Sequence, residues 1–212
     1  MMEEKKPKKQ YVKWAAVLWY IHIHVLGVYA LWLMFTSAKW MTIFYTIFIT
    51  AIGCLGVTAG AHRLWAHKTY EAVGFIKLFL ILAHTLAGVG SIYDWVFYHR
   101  IHHKYYGTDK DPYNHKTFSF LKKSFWPKYH YTIPWDWKCG EFGSYNDDCT
   151  TFFINMWHEL NLVNSLLTTD TEDIRNMLHE MSTKKINLKD SLEILNKKSI
   201  FDAKKTNLIV KH

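Results

Sequence analysis

Two uncharged apolar runs decide most of what this chain can fold into. "WAAVLWYIHIHVLGVYALWLMF" runs from Trp14 to Phe35 and "WMTIFYTIFITAIGCLGVTAGA" from Trp40 to Ala61; each has 22 residues, and only "TSAK" separates them. A helix of about 20 apolar residues crosses a bilayer core. Both runs are therefore expected to span, as a transmembrane helical hairpin with a tight turn. Trp14, Trp32 and Trp40 lie near the run ends, where interfacial aromatics sit. The first run is too long for the apolar region of a secretory signal, and no small-residue cleavage site follows it cleanly.

Charge orients the hairpin. Lys5, Lys6, Lys8, Lys9 and Lys13 precede the first run, Arg63 and Lys68 follow the second, and Lys39 stands alone between them. Positive charge stays on the cytoplasmic side, so both termini are expected in the cytosol. The expected organisation is a basic segment 1–13, two transmembrane helices within 14–61, a cytosolic region 62–183 and a solvated polar tail 184–212. The fold class is an all-α membrane protein, with cytosolic helices after the hairpin. The apolar but interrupted segment 71–95 is expected to lie at the interface or pack on the hairpin. Thr169 and Glu172 have the spacing of a capping box at the start of a late helix.

The net charge of +8 and an aromatic content of 17% suit either a nucleic acid or a membrane surface. The basic residues fall mostly at run ends and in the tail, where the membrane accounts for them; nucleic-acid binding is not expected. Cys54, Cys139 and Cys149 are scattered without a CxxC, which indicates neither a disulfide framework nor a cysteine zinc site. His22 and His24, two apart within the first run, do not share a helix face and are expected to be neutral groups bonded to protein.

The chemistry-bearing residues follow the second run. "GAHRLWAH" carries His62 and His67, and "HRIHHKYYGTDKDPYN" carries His99, His102 and His103. Spacings of three and four place the second group on one helix face. Five apart, His62 and His67 diverge by about 140° on an ideal α-helix. They converge only where the helix ends or bulges. Isolated histidines are ordinary packing or surface residues. Five in two groups, on one expected side of the membrane, fit a ligand role better. Imidazole suits Zn, Cu, Fe and Ni, and a closed structural zinc site needs only four ligands. Five neutral nitrogens without a thiolate favour a pair of redox metals.

"GAHRLWAH" and "HRIHHKYYGTDKDPYN" resemble the first and second histidine boxes of membrane acyl-CoA desaturases of the stearoyl-CoA type. "YHYTIPWDWKCGEFGSYNDDCTTFFINMWHELNLVNSLL" resembles the region after that family's third box. The resemblance implies a multi-pass protein of the endoplasmic reticulum membrane with two histidine-bound irons. Such a protein takes electrons from cytochrome b5, uses O2 and inserts a cis double bond into a fatty acyl-CoA. It implies His62, His67, His99, His102, His103 and His130 as iron ligands, and Trp95 as an aromatic beside the acyl tunnel.

The chain departs from the family's pattern in three places. Where the third box should stand, "PKYHY" keeps only His130 on a ligand position; Pro127 and Tyr131 replace the others. The 12 residues from His115 to Trp126 fill a gap that holds two spans in the family, as an internal deletion would. Phe97 and Tyr98 stand where a basic–acidic pair is expected. Five boxed histidines and His130 make six ligands, a set expected to hold one iron well and the family's two less well. The alternative reading is a catalytically incompetent, shortened desaturase acting as a non-enzymatic membrane partner. The possible assemblies are a homo-oligomer or a hetero-oligomer with a full-length desaturase.

Overall fold

The computed structural model describes residues 12, 14–113, 128–138 and 148–210. The basic N-terminal segment, Pro127, Cys139 and the 115–126 junction lie outside them. The described residues form an all-α membrane protein. In chain order come α1 (Trp14–Thr36), α2 (Trp40–Leu55), a π-helix (Gly56–His67), α3 (Gly74–Ala87), α4 (Ile92–Tyr105), the single turn α5 (Lys128–Thr132), α6 (Cys149–Glu159), α7 (Thr171–Lys184) and α8 (Leu188–Val210). Among the described residues the one strand pairing is antiparallel and two residues long. It joins β1 (Glu71–Ala72) to β2 (Val163–Asn164), with Ala72 opposite Val163.

The chain divides into two units, Met1–Phe48 and Ile49–His212. The first holds α1 and the start of α2. Leu18, Trp19, Tyr20 and Ile21 are all exposed although they point around the whole circumference of α1, the pattern of a helix made for lipid rather than for a core. Two helical segments, Val17–Thr36 and Trp40–His67, are long and apolar enough to cross a membrane. The second does not stop at Ala61, where the uncharged run ends. It continues through the π-helix, so His62 and His67 belong to the same continuous segment.

In the second unit the π-helix packs most extensively on α3 and next on α4. Glycine permits the first contact. A Cβ on Gly56 would stand 2.1 Å from the His84 backbone nitrogen and 2.3 Å from the Ala83 carbonyl carbon, so the two helices meet backbone to backbone. Below them a core gathers Leu64, Tyr70, Leu80, Ile154 and Trp157. The 71–95 segment is two helices rather than one. α3 ends at Gly88 (φ +65°), Gly90 (φ +92°) continues the turn, and α4 leaves at 84° to α3. Ser91 starts α4, its hydroxyl oxygen accepting the Asp94 N–H at 3.1 Å.

Residues 188–210, expected within a solvated tail, are helical. The many lysines and asparagines obscure a stripe at every fourth position: Ser191, Leu195, Ser199 and Ala203 are all buried. This stripe closes on α7 and on the 128–138 segment, where Ile133, Trp135, Met177 and Leu195 form a second cluster. Lys198 pairs with Asp173, and the Ser199 hydroxyl donates to the Thr168 carbonyl. The capping box expected from Thr169 and Glu172 does not form. Asp170 occupies the N-cap position, the Thr169 hydroxyl oxygen takes the Trp135 indole N–H at 3.0 Å, and Glu172 pairs with Arg175. Burial of Trp135 needs that acceptor more than the helix end does.

Candidate metal centre

His62 and His67 converge because the helix that carries them is wound wide. In a π-helix the hydrogen bonds close i→i+5. Its widened turn brings residues five apart onto one face, and the two ring centroids stand 4.7 Å apart. Arg63, between them in sequence, points into the protein and is 1% exposed. Its guanidinium donates to the Trp137 carbonyl and the Thr151 hydroxyl, both at 3.0 Å, and pairs with Asp148 at 2.5 Å. Asp148 also caps α6 by accepting the Thr151 N–H. One buried cation thus fixes the rotation of the π-helix against two later parts of the chain.

The carboxyl end of the π-helix is tied to α4. Arg100 Nε donates to the Ala66 carbonyl at 3.1 Å, and Nη2 to the Trp65 carbonyl at 2.7 Å. These carbonyls would otherwise lack partners at the helix end. Arg100 lies next to His99, so the same bonds set the second group of histidines against the first. His99 and His103, four apart, present their rings 4.7 Å from each other. His130 arrives on α5, whose neighbours Tyr129 and Ile133 are held by the cluster around Trp135.

The result is one tight set. His62, His67, His99, His103 and His130 each offer a ring nitrogen, and these five atoms lie within 4.8 Å of one another. His62 Nε2 and His130 Nε2 are 3.1 Å apart, and His67 Nε2 and His99 Nε2 are 3.0 Å apart. With metal–nitrogen bonds of about 2.0–2.1 Å, adjacent donors on one ion stand about 3 Å apart and opposite donors about 4.2 Å. The His62–His130 and His67–His99 pairs have the spacing of adjacent donors on one ion. His103 Nε2 and His130 Nδ1 are buried and find no hydrogen-bond partner among the described residues. Burial, reinforced by the neighbouring imidazoles, pushes His130 down to about 2 and His103 to about 4, and holds His99 far below its ordinary value. All three are neutral at physiological pH, with lone pairs available to a metal.

His102 stands beside this set rather than in it. Its Nδ1 is 2.7 Å from Asp111 Oδ1, and its Nε2 is 3.3 Å from the Tyr131 hydroxyl. Trp95 lies flat on His99, centroids 4.8 Å apart and planes 16° apart, and meets His62 edge-on at 6.0 Å. His22 and His24 are exposed on α1, and His24 Nδ1 bonds the Tyr20 carbonyl at 2.7 Å. Sequence reasoning missed Arg63, Arg100, Asp111 and Tyr131. Arg63 carried a signal: a lone charge at the end of an apolar helix is costly unless a buried partner receives it.

No protein-family model matches the chain. Among curated proteins it is 40% identical over 124 residues to an acyl-CoA Delta-12 desaturase of Tribolium castaneum, covering 58% of this chain and 35% of that protein. It is 42% identical over 115 residues to an acyl-CoA Delta-9 desaturase of Acheta domesticus, covering 53% and 32%. With the Delta(9)-fatty-acid desaturase fat-6 of Caenorhabditis elegans the identity is 36% over 116 residues, covering 54% and 34%. The chain matches membrane acyl-CoA desaturases over part of their length. It spans about a third of these curated relatives. Acyl-CoA desaturases are oxidoreductases, and a cluster of neutral imidazoles beside apolar helices is consistent with metal-dependent chemistry at a membrane.

Proposed function

We propose that this chain is an acyl-CoA desaturase of the endoplasmic reticulum membrane, with both termini in the cytosol. It introduces a cis double bond into a fatty acyl-CoA using histidine-bound iron, O2 and electrons from cytochrome b5. The gathering of five imidazole nitrogens within 4.8 Å carries the reading; the desaturase relatives favour iron among the metals that imidazole accepts.

His62, His67, His99, His103 and His130 would hold the ion. When bound, it supplies the oxidising power needed to break an unactivated C–H bond. The chain's own residues supply the rest. Neutral imidazoles offer donors without protons to shed, because burial has already removed them. Arg63 and Arg100 fix the two ligand-bearing helices before the substrate arrives. Trp95, flat against His99, gives an acyl chain an apolar wall beside the ligands. Burial of the donors keeps bulk water from the reacting carbon.

A second reading has its own support. Of the third box only His130 keeps a ligand position, so the donor set falls short of the one the resemblance implies. A protein that holds metal without turning over, and pairs with a full-length desaturase to modulate it, fits that shortfall. One experiment separates the two. The chain, and its His67→Ala variant, are expressed in a host unable to make unsaturated fatty acids. Growth and a new unsaturated acyl product with the unsubstituted chain alone, lost in His67→Ala, support the enzyme. Absence of product from expressed, metal-loaded chain, together with altered product yield on co-expression with a full-length desaturase, supports the partner.

A further inference from the structure

A cavity of about 310 Å³ lies between the end of the π-helix and α8, at the lower end of the range for small-molecule sites. His67 touches it, but Trp95, the wall offered to an acyl chain, does not line it. Trp135, Leu167 and Ile200 give it apolar lining, while Lys68 and Lys204 bring two cations from distant parts of the chain. Lys68 is aimed by the backbone. It caps the π-helix in the left-handed region (φ +54°), with its N–H donating to the Arg63 carbonyl. Ser165, also on the lining, shares that conformation at φ +54°. Residues other than glycine rarely adopt it, and those that do gather at ligand clamps and similar sites. Lys204 follows Ala203, whose burial fixes the rotation of α8.

Charge and position narrow the ligand. Glu71 also lines the cavity, so the two lysines leave an excess of one positive charge. A singly charged anion with an apolar attachment matches that excess. A phosphodiester is such an anion; a phosphate monoester carries nearly two charges at pH 7 and sets the second against Glu71. The segment Trp40–His67 has 28 residues, about eight more than a bilayer core needs. Its end, where the cavity opens, therefore stands about 10 Å past the core, near the outer edge of the headgroup region. We infer that this cavity binds a phosphodiester anion, the group that joins headgroup to glycerol in a membrane phospholipid, apart from the acyl wall at Trp95. Lys68 and Lys204 hold the phosphate oxygens, and Glu71 turns away more highly charged phosphates. The inference stands without metal or turnover.

The full chain, purified in detergent, is titrated by calorimetry with four probes: dihexanoyl phosphatidylglycerol, its free headgroup glycerophosphoglycerol, glycerol 3-phosphate and coenzyme A. The expected result is one saturable phosphatidylglycerol site per chain, weakened by salt, with glycerol 3-phosphate bound less well. Lys68→Gln and Lys204→Gln should each weaken it about fivefold, the worth of one lysine at an anionic surface. Glu71→Gln should tighten it and admit glycerol 3-phosphate, a gain that damage to the fold does not produce. Phosphatidylglycerol bound more tightly than its free headgroup assigns the ligand to the membrane; equal binding assigns it to a soluble phosphodiester, and the site stands in either case. Absence of saturable binding overturns the inference. So does an affinity unchanged in both lysine variants, or coenzyme A displacing phosphatidylglycerol at lower concentration, which would give the cavity to the substrate.

Discussion

Replacing Gly56 by alanine tests how the histidine cluster is built, because it acts on the contact between the π-helix and α3 without touching any of its five histidines. The added carbon would stand 2.1 Å from the His84 nitrogen, 2.3 Å from the Ala83 carbonyl carbon and 2.7 Å from the His84 Cα. All three atoms are backbone, so no side-chain rotation relieves the clash. Restoring an ordinary contact of 3.4 Å needs a separation of about 1.3 Å between the helices. Overpacking costs about 1–3 kcal/mol, and a clash against rigid backbone belongs at the upper end, about 3 kcal/mol. For a chain of this size that lowers the melting temperature by about 6–12 °C. Gly74 is the control: it opens α3 with nothing within 4 Å of its added carbon, so Gly74→Ala should gain about 0.5–1 kcal/mol. Both variants are compared with the unsubstituted chain by thermal unfolding in detergent, with cobalt titration as a second readout. Ligand geometry tolerates about 0.2 Å, so Gly56→Ala should also bind cobalt more weakly. A Gly56→Ala protein that melts and binds cobalt like the unsubstituted chain would refute the close approach and the account of the site built on it.

Further outcomes follow from other parts of the structure. Arg63→Ala strands Asp148 and removes the tie among the π-helix, Trp137 and α6; a loss of about 3 kcal/mol is expected on thermal unfolding, and an unchanged melting point would argue against that tie. Metal-free protein should weaken as the pH falls from about 6.5 towards 4. Below 6.5 the unfolded chain binds protons at His103 and His130, whereas the folded chain holds His103 down to about 4 and His130 to about 2. Melting at pH 7.5 and 5 in the presence of a chelator checks this, and greater stability at pH 5 would contradict it. Leu195→Asp puts a carboxylate among Ile133, Trp135 and Met177; a loss of about 4 kcal/mol is expected, with faster proteolysis of α7 and α8 and weaker cobalt binding through the loosened His130. Unaltered protease resistance would show that α8 does not hold that segment.

The transmembrane runs were legible in the sequence because 22 consecutive uncharged residues have few other places to go. His99 and His103 were legible for a similar reason, since a spacing of four on an α-helix leaves little freedom. His62 and His67 were legible only as a problem: an α-helix could not bring them together, and nothing in their spacing named the π-helix that does. His130 entered through resemblance alone. Asp111 could not be seen because its partner His102 is nine residues away across a turn, where no helical or strand period applies. α8 was hidden by its own composition, two of its four stripe positions being serine. Thr169 misled for a physical reason, since its hydroxyl serves the Trp135 indole instead of a helix end. Of these, Thr169 shows most directly a contact between distant parts of the chain overriding the local pattern.

Arg100 gives the site a property that its ligand inventory does not. By joining α4 to the last carbonyls of the π-helix, it completes the scaffolding with protein bonds alone. The socket therefore stands before an ion enters it. On the proposed reading, metal would enter a finished receptacle, and its uptake would be a binding step rather than an episode of folding.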